Sequence, residues 1–502
     1  LANLRRAREA PADLPALTDA PLPVLPTAVL EARIAEIQRE LLIDRETILR
    51  VYRSLIAGHH VILSGPPGTG KTHLARILPR MLWRDEQETV RLTMPNDPAL
   101  APTEPPLEEP LRREGYLVEI VTATEDWGVR HVIGGIAPRI ERNDNGSTLV
   151  YSVSHGCLTR AVLANYQFDG DLPAEPVALP RREPVDGAEN RYRGLWLVID
   201  EFTRAQIDSA FGGLLTTLSG QRGPTLSFPT DAGERVVPLP RDFRLIGTLN
   251  SFDRHFLNQI SEAMKRRFAF IDVLPPGRER RDEEQAMAIY RALSALAEQG
   301  VPGFRAEGES GRAGWTAGLS VRRAEQPGEN GLTVRYVVAW PDDPAARDAF
   351  AGLWRIFEAA RVYRQLGTAQ AEATYRTLFA GRAAGFDWPQ ALDSALADTL
   401  ADQLQVIARD ELRAILALLE HPDDTGALRD AIVAILNRLS APRQSAHLLQ
   451  LRMIDPRVDP NQPSMLTTEQ VAAIFGSPAA LPITATGLFA RRLAAFVNEQ
   501  GL

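Results

Sequence analysis

Short apolar runs alternate with stretches of helical apolar spacing over the first 275 residues of the chain. The mostly apolar runs HVILS, LWLVID and FRLIGTLN predict buried parallel strands at 60–64, 195–200 and 243–250, because such strands are covered on both faces. Apolar residues at steps of three and four predict helices in EARIAEIQRELL, RETILRVYRSLI and HLARILPRML. Strands interleaved with helices from residue 60 to 275 predict an α/β domain with a mainly parallel sheet and helices on both faces.

Three segments of alternating polarity predict β-hairpins that interrupt this pattern. The first contains the Asn145-Gly146 dipeptide, which favours a tight turn between two strands. The hairpins are predicted at 138–153, at 224–240 with its tip at 231–233, and at 318–340, and single strands are predicted at 88–94 and 116–124.

After Pro275 the chain becomes rich in alanine, leucine and arginine with helical spacing, which predicts a second, helical domain. Its helices are predicted at 278–298, 344–366, 370–381, 389–418 and 425–439. The predicted organisation is a Pro/Ala-rich arm at 1–30, the α/β domain at 31–275, a helical lid at 276–455 that carries the hairpin at 318–340, and a C-terminal tail at 456–502.

The composition is that of an ordinary soluble globular protein, with 44% hydrophobic and 24% charged residues. No apolar stretch approaches the ~20 residues of a membrane span, and Cys157, the single cysteine, excludes an internal disulfide and a multi-cysteine metal site. These features favour the cytoplasm. The net charge of −8, from 56 basic and 64 acidic residues, does not indicate nucleic-acid binding, although a local basic surface is compatible with it.

The segment GPPGTGKT follows the first predicted strand and precedes a predicted helix, which is the context of a phosphate-binding loop. Glycines permit the turns that aim backbone N–H groups at a phosphate, the lysine reaches the terminal phosphates, and the threonine hydroxyl ligates Mg²⁺. A chance lysine is improbable here, because only two of the 502 residues are lysines, Lys71 and Lys265. The predicted nucleotide-binding residues are Gly65, Pro66, Pro67, Gly68, Thr69, Gly70, Lys71 and Thr72.

Polar residues at the ends of the later strands are candidates for the chemistry of a triphosphate. Asp200 is predicted to join Thr72 in holding Mg²⁺, and Glu201 to polarise an attacking water. An acidic turn at a strand end explains this pair equally well when it is considered alone. Asn250 is suited either to orienting that water or to satisfying the backbone of a turn.

Two adjacent arginines, Arg266 and Arg267, precede a further apolar segment, FAF. They are suited to a solvated cluster, or to an arginine finger that stabilises the phosphoryl group bound by a neighbouring subunit.

The order of these motifs resembles that of the AAA+ ATPases, in the group that holds the MoxR chaperone-like ATPases, the dynein-related domains and the restriction motor McrB. The entry AGHHVILSGPPGTGKTHLAR, the segments EDWGVRHVIGGIAP and IDEFTRAQIDSAFGGLLTTLSG, and the stretch GTLNSFDR carry the resemblance, which covers residues 31–275. Thr203 stands where this group usually has asparagine.

The resemblance implies a P-loop AAA+ domain in which Lys71 and Thr72 belong to Walker A, and Asp200 and Glu201 to Walker B. Asn250 then corresponds to sensor 1. The remaining implied residues are Arg267 as the finger, Arg266 as its helper, and Arg364 as the sensor 2 arginine of the lid. The hairpins at 138–153 and 224–240 correspond to insertions that face the pore or the client.

The resemblance also implies an ATPase that needs Mg²⁺ and assembles into a ring, usually of six subunits. A MoxR-like motor acts on a protein client, often one with a von Willebrand A domain. A McrB-like motor translocates DNA together with a separate nuclease and makes GTP an alternative to ATP. A slowly hydrolysing, nucleotide-dependent assembly scaffold is the third interpretation.

Overall fold

The computed structural model describes most of the 502-residue chain. The described residues are 16–87, 111–143, 146–168, 179–204, 225–250, 265–307, 311–328 and 331–500, so the strand predicted at 88–94 lies outside them. The chain divides into two compact units, the first containing residues 1–65 and 71–273, and the second containing residues 66–70, 274–328 and 332–502.

The first unit is built on a six-stranded sheet whose strand order is β10-β1-β9-β6-β3-β2. Neighbouring strands from β10 to β3 pair in parallel, and β2 adds an antiparallel edge. The strands are β1 (His60–Gly65), β2 (Asp85–Gln87), β3 (Leu111–Thr122), β6 (Tyr192–Asp200), β9 (Leu245–Asn250) and β10 (Phe268–Asp272). Every residue of β1 is buried, so both faces of the sheet are covered, and the predicted α/β fold is confirmed.

Helices of the first unit bury the apolar positions that predicted them. In the helix Arg45–Ile56, the buried residues Ile48, Val51, Tyr52 and Leu55 follow the three-and-four spacing of an amphipathic helix. The helices are α1 (Thr27–Glu40), α2 (Arg45–Ile56), α3 (Lys71–Leu82), α4 (Val129–Val132) and α5 (Cys157–Leu163). Burial raises the pKa of the Cys157 thiol to about 11.

The N-terminal arm is bound to the first unit over its described part. The Trp83 indole donates to the carbonyl of Pro23 at 3.0 Å, and the backbone N–H of Leu25 donates to the Tyr52 hydroxyl at 2.8 Å. The helix α1 begins at Thr27, inside the segment 1–30 that was predicted to be an arm throughout.

Two of the predicted hairpins lie in the first unit. The strands β7 (Thr225–Thr230) and β8 (Gly233–Pro238) are antiparallel and confirm the second hairpin. Its tip is residues 231–232, within the predicted 231–233, because Gly233 already pairs with Thr230. The strands β4 (Gly134–Asn143) and β5 (Gly146–His155) form the first hairpin, which is longer than predicted. Asn143 pairs with Gly146, so the glycine belongs to β5, whereas Asn145 of the predicted turn lies outside the described residues.

The second unit packs helices around two apolar clusters and carries a small sheet. The hairpin predicted at 318–340 is part of a four-stranded sheet of β11 (Phe304–Glu307), β12 (Arg312–Trp315), β13 (Leu319–Gly328) and β14 (Gly331–Ala339). The helices are α6 (Arg281–Glu298), α7 (Pro344–Tyr363), α8 (Thr368–Ala383), α9 (Trp388–Ala395), α10 (Ala401–Leu404), α11 (Arg409–Glu420), α12 (Thr425–Leu436), α13 (Ala441–Ile454), α14 (Thr468–Phe475) and α15 (Leu488–Glu499).

Two features of this unit differ from the predicted helices. The helix predicted at 389–418 is interrupted by a π-helical segment at 396–400 and ends again before residue 409. No glycine or proline marks the second break; the carboxylate of Glu411 accepts the backbone N–H of Ala408 at 2.8 Å and caps a new helix there. The segment 456–502, predicted to be a tail, belongs to the second unit and buries Phe489 and Leu493 in its core.

Within the described ranges, no helix combines the length and the apolar character that crossing a membrane requires.

Candidate nucleotide-binding site

The predicted phosphate loop joins the end of β1 to the start of α3. Gly68 and Gly70 have φ angles of +78° and +82°, in the left-handed region that glycine adopts without a steric penalty. The Thr69 hydroxyl donates to the carbonyl of Pro66 at 3.0 Å, which closes the loop on itself. These local features form the tight turn in which successive N–H groups can surround a phosphate.

Lys71 is the first residue of α3, and its side chain is buried at the carboxyl edge of the sheet. Its ammonium donates to the carbonyl of Gly65 at 3.0 Å and to Asn250 Oδ1 at 3.3 Å. Burial lowers the pKa of Lys71 to about 8, against the opposing effect of the negative charges of Asp200 and Glu201. The ammonium is therefore partly desolvated.

Asp200 ends β6 opposite Lys71 and Thr72, and three strands bring their ends together at this point. Its Oδ1 atom accepts a hydrogen bond from the Thr72 hydroxyl at 2.8 Å and another from the Thr248 hydroxyl. The structure thus brings together Lys71, Thr72, Asp200 and Asn250, which lie far apart in the sequence.

Glu201 leaves the sheet in an unusual backbone conformation. Its φ angle is +53°, which costs a non-glycine residue about 1–2 kcal/mol. Its backbone N–H donates to the Thr248 hydroxyl at 3.2 Å, and its carboxylate forms an ion pair with Arg204, with Nε and Oε2 2.7 Å apart. Strain of this kind concentrates at functional sites, because the surrounding contacts have to maintain it.

The oxygen atoms of Thr72 and Asp200 fit a magnesium ion. A hydroxyl and a carboxylate are hard ligands, and Mg²⁺ usually keeps several waters and takes further oxygens from bound phosphates. Among the described residues, no group of three or more His, Cys, Asp or Glu side chains could hold a metal ion by itself. Thr72 and Asp200 would supply two of the ligands of such an ion and leave its other positions to water and phosphate oxygens.

Arg266 and Arg267 lie near the amino ends of the parallel strands, on the side of the sheet opposite to the strand ends that carry Asp200 and Asn250. Arg267 directly precedes β10, and its carbonyl accepts the N–H of His60, the first residue of β1. Because β1 and β10 are parallel, Arg267 lies at their amino ends and Lys71 beyond the carboxyl end of β1. The structure does not bring either arginine to the Lys71 site of the same chain.

Arg364 follows α7 in the second unit, and its guanidinium donates to the carbonyl of Gln403. Burial lowers the pKa of this group. The assignment of Arg364 as sensor 2 stays a prediction.

The loop residues 66–70 contact the beginning of α8, which sequence reasoning did not anticipate. The N–H of Ala369 donates to the carbonyl of Gly68 at 3.3 Å. A Cβ atom on Gly367 would lie 2.3 Å from the carbonyl carbon of Gly68, so the two backbones can approach only because residue 367 is glycine. Gln370 caps this helix start by accepting the N–H of Gly367 at 3.0 Å.

A buried ion pair holds the same helix start. Glu284 is fully buried, and its carboxylate accepts hydrogen bonds from both terminal nitrogens of Arg361, at 2.7 and 2.6 Å. The same carboxylate accepts a hydrogen bond from the Thr368 hydroxyl at 2.7 Å. Arg361 also donates from Nε to the carbonyl of Leu366 at 3.0 Å. These contacts hold the residues on either side of Gly367, because Arg361 binds the Leu366 carbonyl and Glu284 binds the Thr368 hydroxyl.

Two family models match the chain. The AAA domain of the dynein-related subfamily matches residues 109–268, and the ChlI subunit of magnesium chelatase matches residues 46–97. The two matches together include the phosphate loop, both carboxylates, Asn250 and Arg267.

Among curated proteins, the chain is similar to the McrB subunit of a type IV methyl-directed restriction enzyme from Escherichia coli (strain K12). The two are 25% identical over 240 residues, which is 47% of this chain and 40% of that protein. The chain therefore matches less than half the length of this relative.

Among solved structures, the chain matches NtrX from Brucella abortus at 14% identity with a TM-score of 0.33, over 95% of this chain and 70% of that one. A second NtrX structure, in complex with ATP, matches at 14% identity with a TM-score of 0.31, over 72% and 51% of the two chains.

Proposed function

We propose that this chain, which matches the AAA domain of the dynein-related subfamily over residues 109–268 and is similar to McrB, is an AAA+ motor subunit that hydrolyses ATP to remodel a protein client. The observation that carries this proposal is the cluster of Lys71, Thr72, Asp200 and Asn250 beside the phosphate loop. GTP is the alternative nucleotide, because base selection depends on contacts other than those to the phosphates.

In the proposed reaction, Lys71 binds the terminal phosphates, and Thr72 and Asp200 hold Mg²⁺, which neutralises charge on the phosphates. Glu201 accepts a proton from the attacking water, and Asn250 orients that water without adding charge. Arg267 of a neighbouring subunit, with Arg266 beside it, stabilises the charge that develops on the transferred phosphoryl group.

The first hairpin supports a protein client. Ile136 and Tyr151 are 62% and 67% exposed, and the register that pairs Pro138 with Tyr151 places both side chains on one face of β4–β5. An exposed apolar face is suited to contact with polypeptide. In this proposal the hairpins contact a client at the centre of a ring of subunits, six being the usual number.

The similarity to McrB supports a second candidate, a nucleotide-driven DNA translocase that works with a separate nuclease. The two candidates differ in their response to added macromolecules. DNA should stimulate turnover of a translocase with a steep dependence on salt, because released counterions drive phosphate-backbone binding. A denatured protein should stimulate a protein remodeller, and its effect should depend less on salt.

The hydrolytic step is tested by phosphate release from the wild type and from Glu201→Gln. We expect this variant to bind nucleotide normally and to lose about 10²-fold or more in kcat, because the water loses its general base. Glu125→Gln, an exposed residue of the same unit, is the matched control and should keep the wild-type rate. Equal rates for wild type and Glu201→Gln would overturn the motor and favour the assembly scaffold.

Nucleotide binding is tested with the two lysines of the chain. Lys71→Ala should lose most of its affinity for a fluorescent ATP analogue, because the buried ammonium would be the cation closest to the phosphates. Lys265→Ala removes the exposed lysine and should bind as the wild type does. Unchanged affinity of Lys71→Ala would overturn the assignment of the phosphate loop.

A further inference from the structure

Thr248 connects the two carboxylate residues of the candidate site. It lies in β9 two residues before Asn250, so both side chains project from the same face of the sheet. Thr248 is 2% exposed. Its hydroxyl donates to Asp200 Oδ1 and accepts the backbone N–H of Glu201 at 3.2 Å, so it has a partner as a donor and as an acceptor.

The first contact orients Asp200. Thr72 and Thr248 both donate to Oδ1, one from the start of α3 and the other from β9. Two donors on one oxygen restrict the rotation of the carboxylate. Both donors are neutral, so they leave the negative charge of Asp200 available to a cation.

The second contact holds Glu201. Its φ angle of +53° turns the chain sharply out of β6 and into the short 3₁₀ turn at 202–204. The carbonyl of Glu201 accepts a hydrogen bond from the backbone N–H of Arg204 at 2.9 Å. The backbone N–H of Glu201 donates to the Thr248 hydroxyl. The direction in which the Glu201 side chain leaves the backbone therefore depends on Thr248.

We propose that Thr248 is a positioning residue for hydrolysis, which sets the Asp200 carboxylate and the Glu201 backbone with one hydroxyl group. This inference rests on the proposed function of the site. Thr248 touches neither nucleotide nor water in this proposal and acts only through these two residues. Its loss should reduce kcat more than nucleotide binding, because the phosphate loop does not depend on it.

Three substitutions at position 248 separate the hydroxyl from the rest of the side chain. Thr248→Val keeps the shape and removes both hydrogen bonds, and Thr248→Ser keeps the hydroxyl and removes a methyl group. Thr248→Cys also removes the methyl group but replaces the hydroxyl with a thiol, a poor hydrogen-bond donor. The matched control is Thr159→Val in α5, because Thr159 is also fully buried and its hydroxyl donates only to the carbonyl of Ile133, at 2.6 Å.

In steady-state assays with ATP and Mg²⁺, we expect Thr248→Val and Thr248→Cys to lose about 10–100-fold in kcat, with KM changed less than about threefold. Thr248→Ser should stay within about threefold of the wild type. Thr159→Val should keep its kcat even if its Tm falls. Wild-type kcat in both Thr248→Val and Thr248→Cys, or an equal loss in Thr248→Ser, would overturn the proposal.

Amide hydrogen exchange of the nucleotide-free protein gives a readout that needs no hydrolysis. In a peptide that contains Glu201, exchange should be faster in Thr248→Val than in the wild type, and close to wild type in Thr248→Ser and Thr159→Val. Unchanged exchange in Thr248→Val would overturn the positioning role. Absence of turnover in the wild type would instead overturn the proposed function, while the exchange result would still decide the role of Thr248.

Discussion

His60 is a buried imidazole that the fold keeps neutral. It begins β1, its Nδ1 atom accepts the backbone N–H of Leu245 at 3.0 Å, and its ring lies 5.3 Å from that of Phe268. Burial, helped by the positive charge of Arg244, lowers the pKa of His60 to about 3. The residue is therefore a structural hydrogen-bond acceptor between strands.

This shift predicts a pH dependence of stability. The unfolded chain takes up a proton at His60 near the ordinary pKa of 6.5, whereas the folded protein resists it down to about 3. Stability should therefore fall as the pH decreases from 6.5 to 3, by about 1.4 kcal/mol per pH unit from this residue. Denaturant unfolding should show a shallower decrease for His60→Asn, which keeps an acceptor and does not titrate. Equal slopes for the two proteins would contradict the assignment.

At the residue scale, the sequence identified the groups whose chemistry is distinctive and missed those that act by position. Lys71 stands out because lysine is rare in this chain, and Asp200 because its position at the end of an apolar strand is combined with a phosphate loop earlier in the same chain. Thr248 has no such signal, since threonine is common in strands. Its only clue is its two-residue distance from Asn250, which places both side chains on one face.

At the scale of elements, the start of α8 and the phosphate loop form one packed feature. Gly367 allows contact with Gly68, and the ion pair of Glu284 and Arg361 holds the turn in place. The sequence predicted α8 to within a few residues but could not predict this contact, because residues 68 and 367 are distant in the chain. The break at residue 408 was missed for a related reason, since its cap is a glutamate side chain and not a glycine or proline.

Gly367→Ala should weaken this feature. Its Cβ atom would lie 2.3 Å from a backbone carbon and 2.4 Å from a backbone oxygen of Gly68, neither of which can rotate away. We expect the variant to lose about 1–3 kcal/mol of stability, the usual cost of overpacking, in denaturant unfolding. Gly187→Ala, where the new Cβ would meet nothing within 4 Å, is the matched control. Equal stability of the two variants would show that the loop and α8 are not in contact.

At the scale of the whole molecule, the position of Arg267 bears on assembly. The six residues of β1 separate it from the Lys71 site by about 20 Å, which is longer than an arginine side chain. The finger stays a prediction, and the parallel pairing of β1 with β10 implies that a finger at this position would have to act on a different subunit. The subunit count and the client depend on surfaces between molecules, which a single sequence does not specify.

Mixing two inactive variants tests this arrangement. Lys71→Ala and Arg267→Ala should each lose ATP turnover, whereas an equimolar mixture should regain up to about a quarter of the wild-type rate, because random neighbours complete that share of sites. Lys71→Ala mixed with Glu201→Gln is the control and should stay inactive, since both residues serve the site of their own subunit. If the first mixture stays as inactive as the control, a finger supplied by a neighbour is contradicted.

The burial of Cys157 makes the chain a convenient host for site-specific probes. Thiol reagents attack the thiolate, and the raised pKa and the packing of this side chain suppress that form at neutral pH. A cysteine introduced at the exposed Asp231, at the tip of the second hairpin, would then be the one reactive thiol of these 502 residues. A fluorophore attached there could follow that hairpin through a turnover cycle without first removing the natural cysteine.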